Sequence, residues 1–77
     1  MIIRRKDILA TIPNVDSDKI DDNDNLISQW GLTSVDIIDM VVRIEAKYHI
    51  VIDIADLLVE NFESVNSIIN LVKKYKK

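Results

Sequence analysis

Apolar residues fall along this chain in helix-like groups separated by polar connections. Ile2, Ile3, Ile8, Leu9 and Ile12 recur at near-helical spacing and predict a first helix that ends before Pro13 and Asn14. Residues 13 to 33, including PNVDSDKIDDNDN, are mostly polar but carry Val15, Ile20, Leu26, Ile27, Trp30 and Leu32 as scattered anchors, so they read as a long connection pinned to a core. Connections of that length inside compact domains are uncommon and tend to be functional. Thr33 or Ser34 opens the strongest helix, which runs to about Tyr48, with Asp36 three residues after Thr33 as a capping-box-like partner. After HIVID a short helical segment is expected around Ile54 to Leu58. Glu63 and Ser64 then lead into a final helix through Val65, Ile68, Ile69, Val72 and Tyr75. The β-branched HIVI run suits a strand by composition, but nothing else in the chain offers it a pairing partner, and a lone strand is not viable. The expectation is therefore all-α: a small four-helix bundle, three main helices and one short one, forming a single domain over residues 1–77.

Composition supports that picture and narrows the chemistry. The 77 residues are 48 % apolar, enough for a core, and contain one Gly and one Pro, which argues against disorder and against a turn-rich β fold. A chain this short has little left over for a deep catalytic cleft. It has no Cys, so disulfides, thiolate catalysis and sulfur-ligated zinc are excluded. The opening MIIRRKDILA places its charges after only two apolar residues and has no long apolar run behind them, so it fits neither a signal peptide nor a membrane span; a cytoplasmic protein is expected. Seven of the ten basic residues lie in Arg4–Lys6 and Lys73–Lys77, leaving 13 acids against Lys19, Arg43 and Lys47 in residues 7 to 72, a net of −10. Such a field repels phosphate backbones and attracts basic protein surfaces, so protein partners are expected and nucleic acid is not. The closing lysines read as cations at the negative end of the last helix.

Three constellations carry candidate chemistry. The stretch DSDKIDDNDN invites a calcium reading, but the register fails: counting from Asp16 the fifth position is Ile20 and the sixth Asp21, and counting from Asp22 the fifth is Leu26 with no glycine at the sixth. It reads as a solvated loop with turn residues. A hydrolase would need a base beside its nucleophile, and the only histidine, His49, stands at the far end of the helix that Ser34 begins, roughly 20 Å away at 1.5 Å per residue. His49 reads as a helix-end residue, and no catalytic residue is assigned. Ser34 differs, because Gly31 shortly precedes it and it sits among the first residues of a helix, where backbone N–H groups and the positive dipole end favour a phosphate. By position alone, a second capping candidate beside Thr33 is the preferred reading.

The helix that follows adds a second clue. At 100° per residue Ile37, Val41, Ile44 and Tyr48 form one stripe, and Val35, Ile38 and Val42 widen it to nearly half the circumference, more than a surface helix needs. Some apolar surface is therefore expected in solvent, flanked by Asp36, Asp39 and Glu45, unless that side packs under the long loop or the short third helix. Asp39 and Arg43 form a favourable i,i+4 pair.

Taken together, GLTSVDIIDMVVRIEAKY at the head of the strongest helix and the closing IADLLVENFESVNSIINLV resemble the acyl carrier and peptidyl carrier protein superfamily, and the resemblance covers essentially the whole chain. It implies a four-helix carrier fold and a 4'-phosphopantetheine arm on Ser34, joined by a phosphodiester, whose terminal thiol holds cargo as a thioester. That would let a chain without cysteine take part in thiol chemistry. It further implies a non-enzymatic monomer that meets a phosphopantetheinyl transferase and acyl- or aminoacyl-loading and acyl-processing enzymes, with Asp36, Ile38, Asp39, Val42 and Glu45 as docking residues. The expected role is carriage of acyl intermediates in fatty-acid, lipid or polyketide-type biosynthesis. Aminoacyl or peptidyl cargo, D-alanyl included, is the alternative, and outside carriers a helical interaction module with Ser34 unmodified. Thr33 and Val35 replace the Asp and Leu that usually flank the serine, and Arg43 and Lys47 make this helix less acidic than in typical fatty-acid carriers, which points to a specialised carrier.

Overall fold

Four α-helices and two isolated 3-10 turns make up the fold in a computed structural model that describes residues 3–13 and 15–76, with Ser17 in its backbone only. The helices are α1 (Arg5–Leu9), α2 (Ser34–Tyr48), α3 (Val59–Phe62) and α4 (Val65–Tyr75), and the turns lie at Ser17–Lys19 and Ile54–Asp56. No strand occurs among the described residues, so HIVI is not one. Ile2 and Asn14, named above for the first helix and its end, lie outside the described residues.

Helix α1 is shorter than its apolar spacing suggests. Beyond Leu9 the chain tightens: Thr11 N–H bonds the Ile8 carbonyl at 2.9 Å and Ile12 N–H the Leu9 carbonyl at 3.2 Å, three residues back rather than four. The buried Thr11 hydroxyl donates to the same Ile8 carbonyl at 2.6 Å, and Pro13 then has no N–H with which to continue. Ile8, Leu9 and Ile12 nevertheless all reach the core.

The long connection is held by backbone as well as by anchors. Leu26 N–H donates to the Glu63 carbonyl at 2.7 Å and Asn66 N–H to the Asp22 carbonyl at 3.2 Å, which ties the loop to the entry of α4. The Arg5 guanidinium reaches the Asp22 carboxylate and the Ile20 carbonyl, and Ile20, Leu26 and Leu32 are buried. Asp24 accepts from Asp21 N–H and from the Trp30 indole at 3.1 Å, and these bonds hold its carboxyl below the ordinary carboxylate value.

Helix α2 buries Met40, Ile44 and Tyr48, with Ile37 and Val41 half-buried against the same core. The buried stripe thus extends to Met40, which the grouping of Ile37, Val41, Ile44 and Tyr48 passed over. It ends at His49, which takes φ 55°, a left-handed cap, and donates its N–H to the Glu45 carbonyl. Helix α4 is capped by Ser64, which accepts from Ser67 N–H at 3.1 Å, and buries Val65, Ile68, Leu71 and Val72 while packing on α1 and α3. Each such side chain contributes about 1.5–3 kcal/mol on burial. Lys73 and Lys74 occupy its last turn, as expected of cations at a negative helix end. The short helix expected around Ile54 to Leu58 is split: a 3-10 turn at Ile54–Asp56, then an extended Leu58 that caps α3. Asp53 opens that turn as its N-cap, accepting from Ala55 N–H at 2.9 Å, an Asx-type closure over two residues.

Candidate functional site

Ser34 is the first residue of α2 and is exposed. Its position is fixed by the reciprocal box around it. Thr33 Oγ1 accepts from Asp36 N–H at 3.3 Å, and Asp36 Oδ2 accepts from Thr33 N–H at 2.9 Å and from the Thr33 hydroxyl at 3.1 Å. Thr33 is therefore the cap, which leaves the Ser34 hydroxyl out of that role. Gly31, three residues earlier, has φ 72°, a conformation that disfavours side chains, and open space where a Cβ would lie. An exposed hydroxyl at the positive end of a fifteen-residue helix, approached by an uncrowded loop, fits a serine-linked phosphodiester.

Beside Ser34 opens a groove of about 290 Å³. Ile37, Ile38, Val41 and Val42 of α2 form one wall. Leu57, Leu58 and Val59 form the other, together with Phe62, which is itself 1 % exposed. The volume is at the lower end of small-ligand sites, and Ser34 stands among the lining residues as the hydroxyl on an otherwise apolar perimeter. The outer wall was not anticipated from the sequence. Its signal was the uninterrupted Leu57–Leu58–Val59 run after Asp56, which a short amphipathic helix would not have needed.

The exposed apolar stripe expected on α2 is present: Val35 is 72 %, Ile38 63 % and Val42 59 % exposed. This side is therefore exposed rather than packed under the loop or the third helix, although Ile38 and Val42 also border the groove. The three acids beside them are all engaged within the chain. Asp36 is held in the capping box, Asp39 Oδ2 lies 3.0 Å from Arg43 Nη2, and Glu45 Oε2 accepts from Ile52 N–H at 2.9 Å. His49 closes the far end of the helix as its cap. Among the described residues no group of three or more His, Cys, Asp or Glu is arranged to hold a metal ion, and the loop acids bond backbone N–H groups instead.

Comparison with known proteins accords with this geometry. Residues 6–72 match the family of the phosphopantetheine attachment site, and the chain belongs to that family. It is a carrier protein, and its cofactor is 4'-phosphopantetheine. Carriers of this kind work with modifying and processing enzymes. Among curated relatives, the chain is 29 % identical over 69 residues to an acyl carrier protein of Thermotoga maritima, an alignment covering 90 % of this chain and 83 % of that protein. No solved structure matches the chain. Among the described residues no helix is long and apolar enough to cross a membrane.

Proposed function

We propose that this single domain carries acyl intermediates on a 4'-phosphopantetheine arm attached to Ser34, and delivers them to enzymes of fatty-acid, lipid or polyketide-type biosynthesis in the cytoplasm. The observation that carries the reading is the apolar groove of about 290 Å³ with Ser34 on its perimeter. When attached, the arm supplies the terminal thiol that the chain itself lacks. The protein's own residues do the rest. The Thr33–Asp36 box presents Ser34 at a fixed helix end, α2 lends the positive dipole to the phosphate, and the two apolar walls shelter a hydrocarbon chain from water. Asp36, Ile38, Asp39, Val42 and Glu45 are the docking residues. Val35, Ile38 and Val42 offer transient partners an apolar strip, while the acids contribute field.

The test is the intact mass after incubation with coenzyme A and a broad-specificity phosphopantetheinyl transferase, followed by loading with octanoyl or with an amino acid. A gain of one phosphopantetheine that Ser34→Ala abolishes, and an octanoyl group that is shielded where an aminoacyl group is not, is the expected result. No gain with several transferases overturns the assignment of Ser34. Equal exposure of the two cargoes overturns the acyl reading in favour of aminoacyl or peptidyl carriage.

A further inference from the structure

The outer wall of the groove is lightly built. The 3-10 turn at Ile54–Asp56 buries no residue, Ile54 is 85 % exposed, and Leu57, Leu58 and Val59 are all exposed as well. Packing holds only the two ends of this stretch, through Ile52 and Phe62. A segment with so few buried contacts belongs to the low-stability end of a fold and opens locally unless something else fastens it.

The fastening lies in the last turn of α4. Lys74 Nζ reaches both carboxylate oxygens of Asp56, at 2.9 and 3.0 Å. The Tyr75 hydroxyl donates to Asp56 Oδ2 and accepts from Asp53 N–H at 2.9 Å, so one phenol bridges two points of the turn. Asn61 Nδ2 donates to the Asp56 carbonyl at 2.8 Å and closes the far side of the stretch onto the same residue. Asp56 directly precedes Leu57, and its side chain is 19 % exposed against 58 % for Lys74. The ion pair with a half-exposed lysine is a weak tie, so Tyr75 is the central member.

We infer that Asp56, Lys74 and Tyr75 are positioning residues for the cargo groove, latching its outer wall to the end of α4 and thereby setting how readily that wall parts for an acyl chain. The identity of the cargo rests on the proposed function; the latch does not. The Tyr75 hydroxyl, then Lys74, hold the Asp56 carboxyl below its ordinary value, and the bonds to Asp56 raise both Tyr75 and Lys74.

The experiment has two arms on Tyr75→Phe, which removes both bonds of the phenol and keeps its ring, with Asp56→Asn as a second variant that keeps the side-chain shape. In the unmodified protein, amide hydrogen exchange at Asp56, Leu57 and Asn61, whose N–H groups are bonded within the stretch, is expected to quicken on the order of tenfold, the scale of one or two lost hydrogen bonds, while Met40 and Ile44 stay unchanged. Exchange that is unaltered in both variants, or that rises by one factor throughout the chain, overturns the latch. In the octanoyl-loaded protein, cleavage of the thioester by hydroxylamine is expected to quicken in the same variants. Faster exchange with unaltered cleavage overturns the link to cargo. Failure to attach an arm at Ser34 also removes that link, by way of the carrier assignment, and the exchange arm still decides the latch.

Discussion

The capping box at the start of α2 is a testable claim about how Ser34 is presented. Thr33→Ala removes the Oγ1 acceptor of Asp36 N–H, a bond at the long end of the normal range at 3.3 Å, and the hydroxyl donor to Asp36 Oδ2, but it leaves Thr33 N–H bonded to that oxygen at 2.9 Å. The expected cost is therefore about 1 kcal/mol rather than the 2 kcal/mol or so seen for the most costly caps. Asp36→Ala removes the shared oxygen and a negative charge at the positive helix end, for about 1.5–2 kcal/mol. Because the two side chains serve each other, the double variant should cost less than the sum by about 0.5–1 kcal/mol. A domain of this size is stable by about 4–12 kcal/mol, and 1 kcal/mol moves its Tm by about 4–8 °C, so these effects are measurable. Urea unfolding followed by the fluorescence of the half-buried Trp30 supplies the cycle, with Thr33→Ser, which keeps the hydroxyl, expected near the parent. Additivity within about 0.3 kcal/mol, or a Thr33→Ser variant as damaged as Thr33→Ala, would refute the reciprocal box.

Two further outcomes follow from the same structure. The Tyr48 hydroxyl is buried without a hydrogen-bond partner among the described residues, so Tyr48→Phe should raise stability by about 1 kcal/mol in urea unfolding; a loss would mean that the hydroxyl is bonded. The latch has a pH window. The Asp56 carboxyl is lowered by Tyr75 and Lys74, so its contribution is present above the ordinary aspartate value of 3.8 and is lost as pH falls through its folded value. Tyr75 and Lys74 are raised by Asp56, so their contributions are complete below 10.0 and 10.5 and are lost as pH rises through their folded values. Asp53 adds negative charge near Lys74, and Glu60 lines the same surface depression as Asp56 and Lys74. The NMR methyl signals of Leu57 and Leu58 should hold steady between those limits and shift beyond each, whereas a step inside the window would contradict the assignment.

The parts of the fold legible in the sequence are those governed by local rules. Thr33 and Asp36 mark the start of α2 through a spacing of three, and Ser64 marks α4 in the same way; both starts lie where the pattern places them. The exposed strip of Val35, Ile38 and Val42 was legible too, because its width exceeds what one buried face needs. What the sequence did not disclose depends on non-local partners. Asp56 looks like any acid of a short helical segment until Tyr75, nineteen residues later, is brought to it. Asp36 and Asp39 have partners that local spacing reveals, but Glu45 has none until it is turned to Ile52 N–H, a bond that exists only because the chain doubles back after His49. The groove was hidden for the same reason, since Leu57, Leu58 and Val59 break helical periodicity to face α2.

These features divide the molecule by rigidity. Ser34, the proposed attachment point, stands on the longest described helix, capped at both ends and anchored to the core by Met40, Ile44 and Tyr48. The wall opposite is a turn and a four-residue helix with little burial of its own. The proposed acyl carriage needs that asymmetry, because a hydrocarbon cargo has to be hidden from water in transit and surrendered on arrival. If the wall were packed like α4, with a buried residue nearly every turn, each opening would cost several kcal/mol of apolar exposure and approach global unfolding. Fastening it instead by a few hydrogen bonds at one corner keeps the opening local. The same corner lies at the end of α4 rather than on α2, so a partner docked as proposed on the strip beside Ser34 would not compete for the groups of the inferred latch.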